Sequence, residues 1–96
     1  MEKKLTLKIV TPNGTAAEHT CTALQLPVMD DKTGHGGGSY GIHPGHLPAM
    51  MALSPDRITA KNGAEVTFAA TIRGGIAMVE RDTVTVLTDE CTLESP

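Results

Sequence analysis

The stretch Gly38-Ser39-Tyr40-Gly41-Ile42-His43-Pro44-Gly45-His46-Leu47-Pro48-Ala49-Met50-Met51-Ala52-Leu53 decides the reading of this chain. It opens on glycine, tightens through Pro44-Gly45 and closes on an apolar run. Proline presets the negative φ of the first central turn position, and glycine accepts the positive φ of the second. The pair therefore suits the centre of a type II turn flanked by His43 and His46. Pro48 argues against a helix beginning before Ala49. Pro55 closes the window, so the segment from Ala49 to Leu53 is expected to be a strand.

Outward from this corner the dominant period is two. Leu5, Leu7 and Ile9 alternate with Thr6, Lys8 and Val10, and Pro12-Asn13-Gly14 ends that strand with turn residues. From His19 to Val28 a second alternation places Thr22, Leu24 and Leu26 on one face and Cys21, Ala23 and Gln25 on the other. Pro27 then falls at a strand end or edge. Arg57 to Lys61 reads as a strand, Asn62-Gly63 as a hairpin turn, and Ala64 to Ile72 as the return strand. Gly74-Gly75 permits a bend. Ile76 to Glu80, the Arg81-Asp82 turn and Thr83 to Asp89 make a last hairpin. Short strands with regular turn signals predict an all-β fold, a flattened antiparallel sandwich or barrel. The segment from Met29 to Gly38, with its charges and closing glycines, is expected to be a mobile surface loop.

Ninety-six residues make one domain with a modest core. Tyr40 and Phe68 are the sole aromatics, so Val, Ile, Leu, Ala and five Met must fill it. A formal charge of −3 and the lack of a basic stripe argue against a nucleic-acid partner. No run approaches the roughly 20 apolar residues of a membrane span, so no direct insertion is expected. Met1-Glu2-Lys3-Lys4 is not followed by an apolar segment, so no signal peptide is expected either. Cys21 and Cys91 are far apart and match no metal pattern, which favours buried free thiols.

Gly36-Gly37-Gly38-Ser39-Tyr40-Gly41 formally matches G-x-G-x-x-G, yet Pro44-Gly45 follows at once. No helix can present its N-terminus to a phosphate, and no cofactor is expected. His43 and His46 stand three apart across the turn. With His19 and His35 they could suggest a metal, but a zinc site needs three or four converging ligands, and Cys21, Cys91, Asp30 and Asp31 have no telling spacing to them. A small metal-dependent β-barrel enzyme, or a stand-alone binding module using His43 and His46, remains the alternative class. No nucleophile elbow or catalytic set is present. Met50, Met51 and Met78 can be plain core or a second apolar face that docks a partner, since Met suits adaptable contacts.

The stretch from Gly38 to Leu53 resembles the G-x-x-G-I-x-P-G-H-x-P segment of the epsilon subunits of bacterial F-type ATP synthases. The segment from Arg73 to Val79, followed by Thr83 to Asp89, is similar to that family's S-G-G-h-h-x-V…V-T-V-L-A-D, where h is apolar. With Leu5-Thr6-Leu7-Lys8-Ile9-Val10-Thr11-Pro12 the likeness covers nearly the whole chain. Two departures stand out: Ser39 where the family often has an acidic residue, and Arg73 where it has Ser.

The resemblance implies a non-catalytic part of the central stalk of a proton- or sodium-driven rotary complex. One face would bind the gamma subunit and the loop end would rest on the c ring, coupling rotation to ATP synthesis or hydrolysis. Thr11, His46, Met51, Arg73 and Met78 fall where the family meets gamma. Gly38, Ser39 and Tyr40 fall where its loop meets the c ring. The place implied is peripheral, on the cytoplasmic face of the bacterial inner membrane. Many members continue into a C-terminal helical pair; residues 1–96 are expected to form one β-sandwich without that helical domain.

Overall fold

The structure, a computed structural model, describes residues 3–30, 36–46 and 48–96. All its regular elements are strands: β1 (Leu5–Thr11), β2 (Gly14–Cys21), β3 (Ala23–Asp30), β4 (Gly36–Ile42), β5 (Ala49–Asn62), β6 (Glu65–Glu80), β7 (Thr83–Leu87) and β8 (Cys91–Glu94). The hydrogen-bonded order is β2-β1-β7-β6-β5-β3-β4, with β8 on a further stretch of β6.

β5 and β6 are continuous through positions where separate strands were expected, because they bend rather than break. In β6 the bend lies at Gly74 and Gly75, with φ of +82° and +136°. A Cβ at Gly75 would collide with the Leu87 carbonyl, so this position admits glycine alone. β5 bends beside it: Gln25 pairs with Thr59 and Val28 with Leu53, so three steps of β3 span six of β5. Each long strand therefore serves two layers, the usual way a strand turns the corner of a sandwich. One layer holds β2, β1, β7, the end of β6 and the start of β5. The other holds β8, the start of β6, the end of β5, β3 and β4.

The core lies between the layers. Leu5, Leu7, Ile9, Ala77, Val79, Val84 and Val86 meet Leu24, Leu26, Ile42, Ile58, Ala60, Ala70 and Ile72, all buried. Aliphatic burial of this kind stabilises by about 25 cal/mol per Å² removed from water. β1 lies parallel to β7, pairing Leu7 with Val84 and Ile9 with Val86, the one parallel pair among the described strands.

Other local expectations shift. The chain bends at Thr22, so Cys21, Leu24 and Leu26 are all buried, whereas one uninterrupted strand would have opposed Cys21 to the leucines. Pro27 sits inside β3 rather than at its end, tolerated because the β3–β5 register is irregular there. The hairpin turn falls at Gly63-Ala64, one residue late, with Gly63 at φ +65°. Asn62 stays in β5, and its amide donates to the Thr20 carbonyl (3.2 Å) and the Thr67 hydroxyl (2.8 Å). β3 and β4 run into the segment expected as a loop: Val28 pairs with Gly38 and Asp30 with Gly36. The expected mobility falls on 31–35, outside the described residues.

Candidate functional site

Strand alternation gives the first layer an outer face opposite its core face. β1 turns Thr6, Lys8 and Val10 outward while Leu5, Leu7 and Ile9 go in. β7 does the same with Thr83, Thr85 and Leu87. The register assembles these residues into three cross-strand rows. Ala52, Ile76, Leu87 and Val10 form the first; Met50, Met78, Thr85 and Lys8 the second; Glu80, Thr83 and Thr6 the third. The first row is apolar throughout, the second apolar at its β5 and β6 end, and the third polar. Met50 is 71% exposed, Ile76 42% and Leu87 40%. A row of large apolar side chains left in water points to a surface that another protein covers.

The face has two distinct ends. At the bend lies a cleft of about 410 Å³ lined by Val10, Thr11, Pro12, Arg73, Gly74, Gly75, Ile76, Leu87, Thr88 and Asp89. Its wall is rigid: Thr88 is buried, its N–H donating to the Val10 carbonyl at 3.0 Å. Arg73 reaches the Glu90 carboxylate at 2.9 Å, and Thr11 is held in its turn by the Asn13 N–H at 3.2 Å. At the opposite end the Pro44-Gly45 turn forms as read, with Gly45 at φ +86° and the His46 N–H donating to the His43 carbonyl at 3.3 Å. The Gly45 N–H also donates to the Asp82 carboxylate at 3.1 Å, tying this turn to the β6–β7 hairpin.

The structure thus gathers four of the five residues expected to meet gamma around one face. Met78 is on it, Thr11 and Arg73 line the cleft at one end, and His46 stands at the turn at the other. Met51 is placed differently: it pairs with Ala77 and packs against the core, because it shares a strand face with Leu53. Its neighbour Met50 is the outward methionine. The sequence offers Met50, with Met51 and Met78, as plain core or as a docking face, whereas Val10, Ile76 and Leu87 carry no such signal by residue type. Strict alternation outward from the buried Ile9, Ala77 and Val86 places them on the outer face.

Gly38, Ser39 and Tyr40, the residues expected at the c ring, are exposed on β4, an edge strand of the second layer. The Ser39 hydroxyl donates to the Gln25 side-chain carbonyl. The Tyr40 hydroxyl lies 2.9 Å from His46 Nε2, with the rings edge to face at 5.8 Å. His43 is exposed. Among the described residues no three His, Cys, Asp or Glu side chains come together as metal ligands. Cys21 and Cys91 are free thiols, each with its pKa raised by burial. No helix of the described residues is long and apolar enough to cross a membrane.

Comparison with known proteins agrees with this geometry. Residues 4–94 match the family model described as ATP synthase, Delta/Epsilon chain, beta-sandwich domain. An ATP synthase epsilon chain from Lawsonia intracellularis is 33% identical over 89 residues, covering 93% of this chain and 61% of the relative. One from Bacillus thuringiensis is 32% identical over 85 residues, covering 88% and 58%. The chain therefore spans about three fifths of these relatives' length. A chain of the Euglena gracilis mitochondrial ATP synthase has the same fold, with a TM-score of 0.74 at 18% identity over 94% of this chain and 53% of that one. A chain of the Tetrahymena thermophila mitochondrial ATP synthase central stalk and c-ring structure gives 0.64 at 14% identity, covering 94% and 66%. With its family model matched almost from end to end, the chain belongs to the ATP synthase delta/epsilon chain family, as the family's β-sandwich domain.

Proposed function

We propose that this chain serves as the β-sandwich of an epsilon subunit, a non-catalytic part of the central stalk of a proton- or sodium-translocating F-type ATP synthase. It binds the gamma subunit through the outer face of its first layer and helps fix gamma to the c ring, so that ion flow and shaft rotation stay coupled. The observation that carries this reading is the exposed apolar row on an otherwise well-packed sandwich: Met50 beside Met78, and Ile76 beside Leu87. Thr11, Arg73 and His46 frame the contact, and Met51 supports it from the core side. Gly38, Ser39 and Tyr40 on β4 are the c-ring contact. The complex places the chain peripherally, at the cytoplasmic face of a bacterial inner membrane.

A charge at Met50 tests the reading. In the free chain Met50 faces water, so Met50→Asp should keep the wild-type melting temperature. In the complex it buries an unpaired carboxylate, which costs several kcal/mol, so affinity for gamma should fall by about a hundredfold or more. Undiminished capture of gamma by a folded Met50→Asp chain would remove this face as the contact.

A further inference from the structure

The cleft at the Gly74-Gly75 bend and the apolar row are continuous, since Val10, Ile76 and Leu87 belong to both. The rest of the face is a sheet surface, whereas here the two glycines present no side chains and leave a depression. Two charged residues, Arg73 and Asp89, line it. Arg73 and Glu90 neutralise each other at 2.9 Å. Asp89 is exposed and has no ion pair or hydrogen bond among the described residues. The cleft therefore combines apolar walls with one uncompensated negative charge.

We propose that this cleft receives a lysine or arginine side chain of the gamma subunit, its aliphatic stem lying along Val10, Ile76 and Leu87 and its charge meeting Asp89. The inference rests on the reading that gamma covers this face. A purely apolar side chain would fill the walls but would strip water from an unpaired carboxylate, an unfavourable exchange. A basic side chain satisfies both parts, because its stem is apolar and its head is cationic. Such a contact fixes the register of the partner along the face, while the methionine row supplies the buried area.

The test measures affinity for the gamma subunit of the same organism by calorimetry, at low and at physiological salt. Asp89 is exposed, so Asp89→Asn and Asp89→Lys should melt with wild type; Glu65→Lys, at the far hairpin, is the control. Asp89→Asn is expected to bind about tenfold more weakly and to lose part of the salt dependence, and Asp89→Lys to bind weaker still. One Lys→Glu or Arg→Glu variant of gamma should restore binding to Asp89→Lys. If Asp89→Lys binds like wild type while Met50→Asp does not bind, gamma covers the face but the cleft takes an apolar group, and the proposal is wrong. If the wild-type chain does not bind gamma at all, the functional reading fails and this inference with it.

Discussion

The two outer faces of the sandwich are built by the same long strands and differ in what they show to water. On the first layer the register lines up Ala52, Ile76, Leu87 and Val10, with Met50 and Met78 beside them. On the second it lines up Gln25, Thr59, Ala69 and Glu94, with Arg57, Thr71 and Thr92 beside them. Arg57 also reaches Glu94 at 3.3 Å and the Ser95 carbonyl at 3.2 Å. Both layers bury comparable aliphatic inner faces, so packing the core does not call for the apolar row outside. The second layer is what a solvent-facing antiparallel sheet looks like. The first departs from it on one face alone, which separates the residues that make the fold from those available to a partner.

The bend that lets one strand supply both layers is the point at which this contrast breaks most completely. Gly75→Ala places a methyl group against the Leu87 carbonyl in a backbone conformation that side chains rarely adopt. The expected cost exceeds about 3 kcal/mol and affects both layers, read as a large drop in the urea midpoint. A midpoint equal to wild type would mean that the corner relaxes easily and that the layers are less coupled than the geometry implies.

A smaller effect comes from the thiols, one in each layer. Burial raises the pKa of Cys21 in β2 and, from a less enclosed place in β8, that of Cys91. A group whose folded pKa is raised contributes its full stability below the unfolded value. That stability is lost as pH rises through the folded value, because the unfolded chain then holds fewer protons. Stability should therefore decline as pH climbs above the ordinary thiol range, and iodoacetamide should label Cys91 before Cys21. Equal labelling rates would show that the first layer opens as readily as the edge of the second.

The smallest change is expected on the polar face. Arg57 and Glu94 are both well exposed, so Arg57→Ala should cost no more than about 0.5 kcal/mol in thermal unfolding and nothing measurable in high salt. A loss that persists in high salt would make β8 more dependent on Arg57 than a solvent-screened pair allows.

What could be read from the chain followed local chemistry. Pro44-Gly45 gave a turn because each residue satisfies one of its central positions, and Leu5, Leu7 and Ile9 face the core as their alternation requires. The misreadings share a cause: long-range pairing overrides a local signal. Pro55 looks like a terminator, yet β5 continues past it because β6 bends in step on the opposite side. Thr22 sits inside an unbroken alternation, yet the chain turns there because its N–H donates to the Lys61 carbonyl at 2.8 Å, a partner 39 positions away. The site followed the same division. Met78, Thr11, Arg73 and His46 came from resemblance, and they gather at one face. Met51 and Met50 are adjacent and chemically identical, and the register with Ala77 and Met78 decides which one faces outward.

The parallel pairing of β1 with β7 also bears on how the chain folds while it is being synthesised. Leu5, Leu7 and Ile9 lie in the first strand of the domain, yet their neighbours Val84 and Val86 lie in its seventh. The β1–β2 hairpin can close early, but its apolar side has no second strand beside it until β7 has left the ribosome. Such distant pairing makes folding slow and keeps sticky surface in contact with water meanwhile. The first layer therefore completes itself only once β7 has been translated.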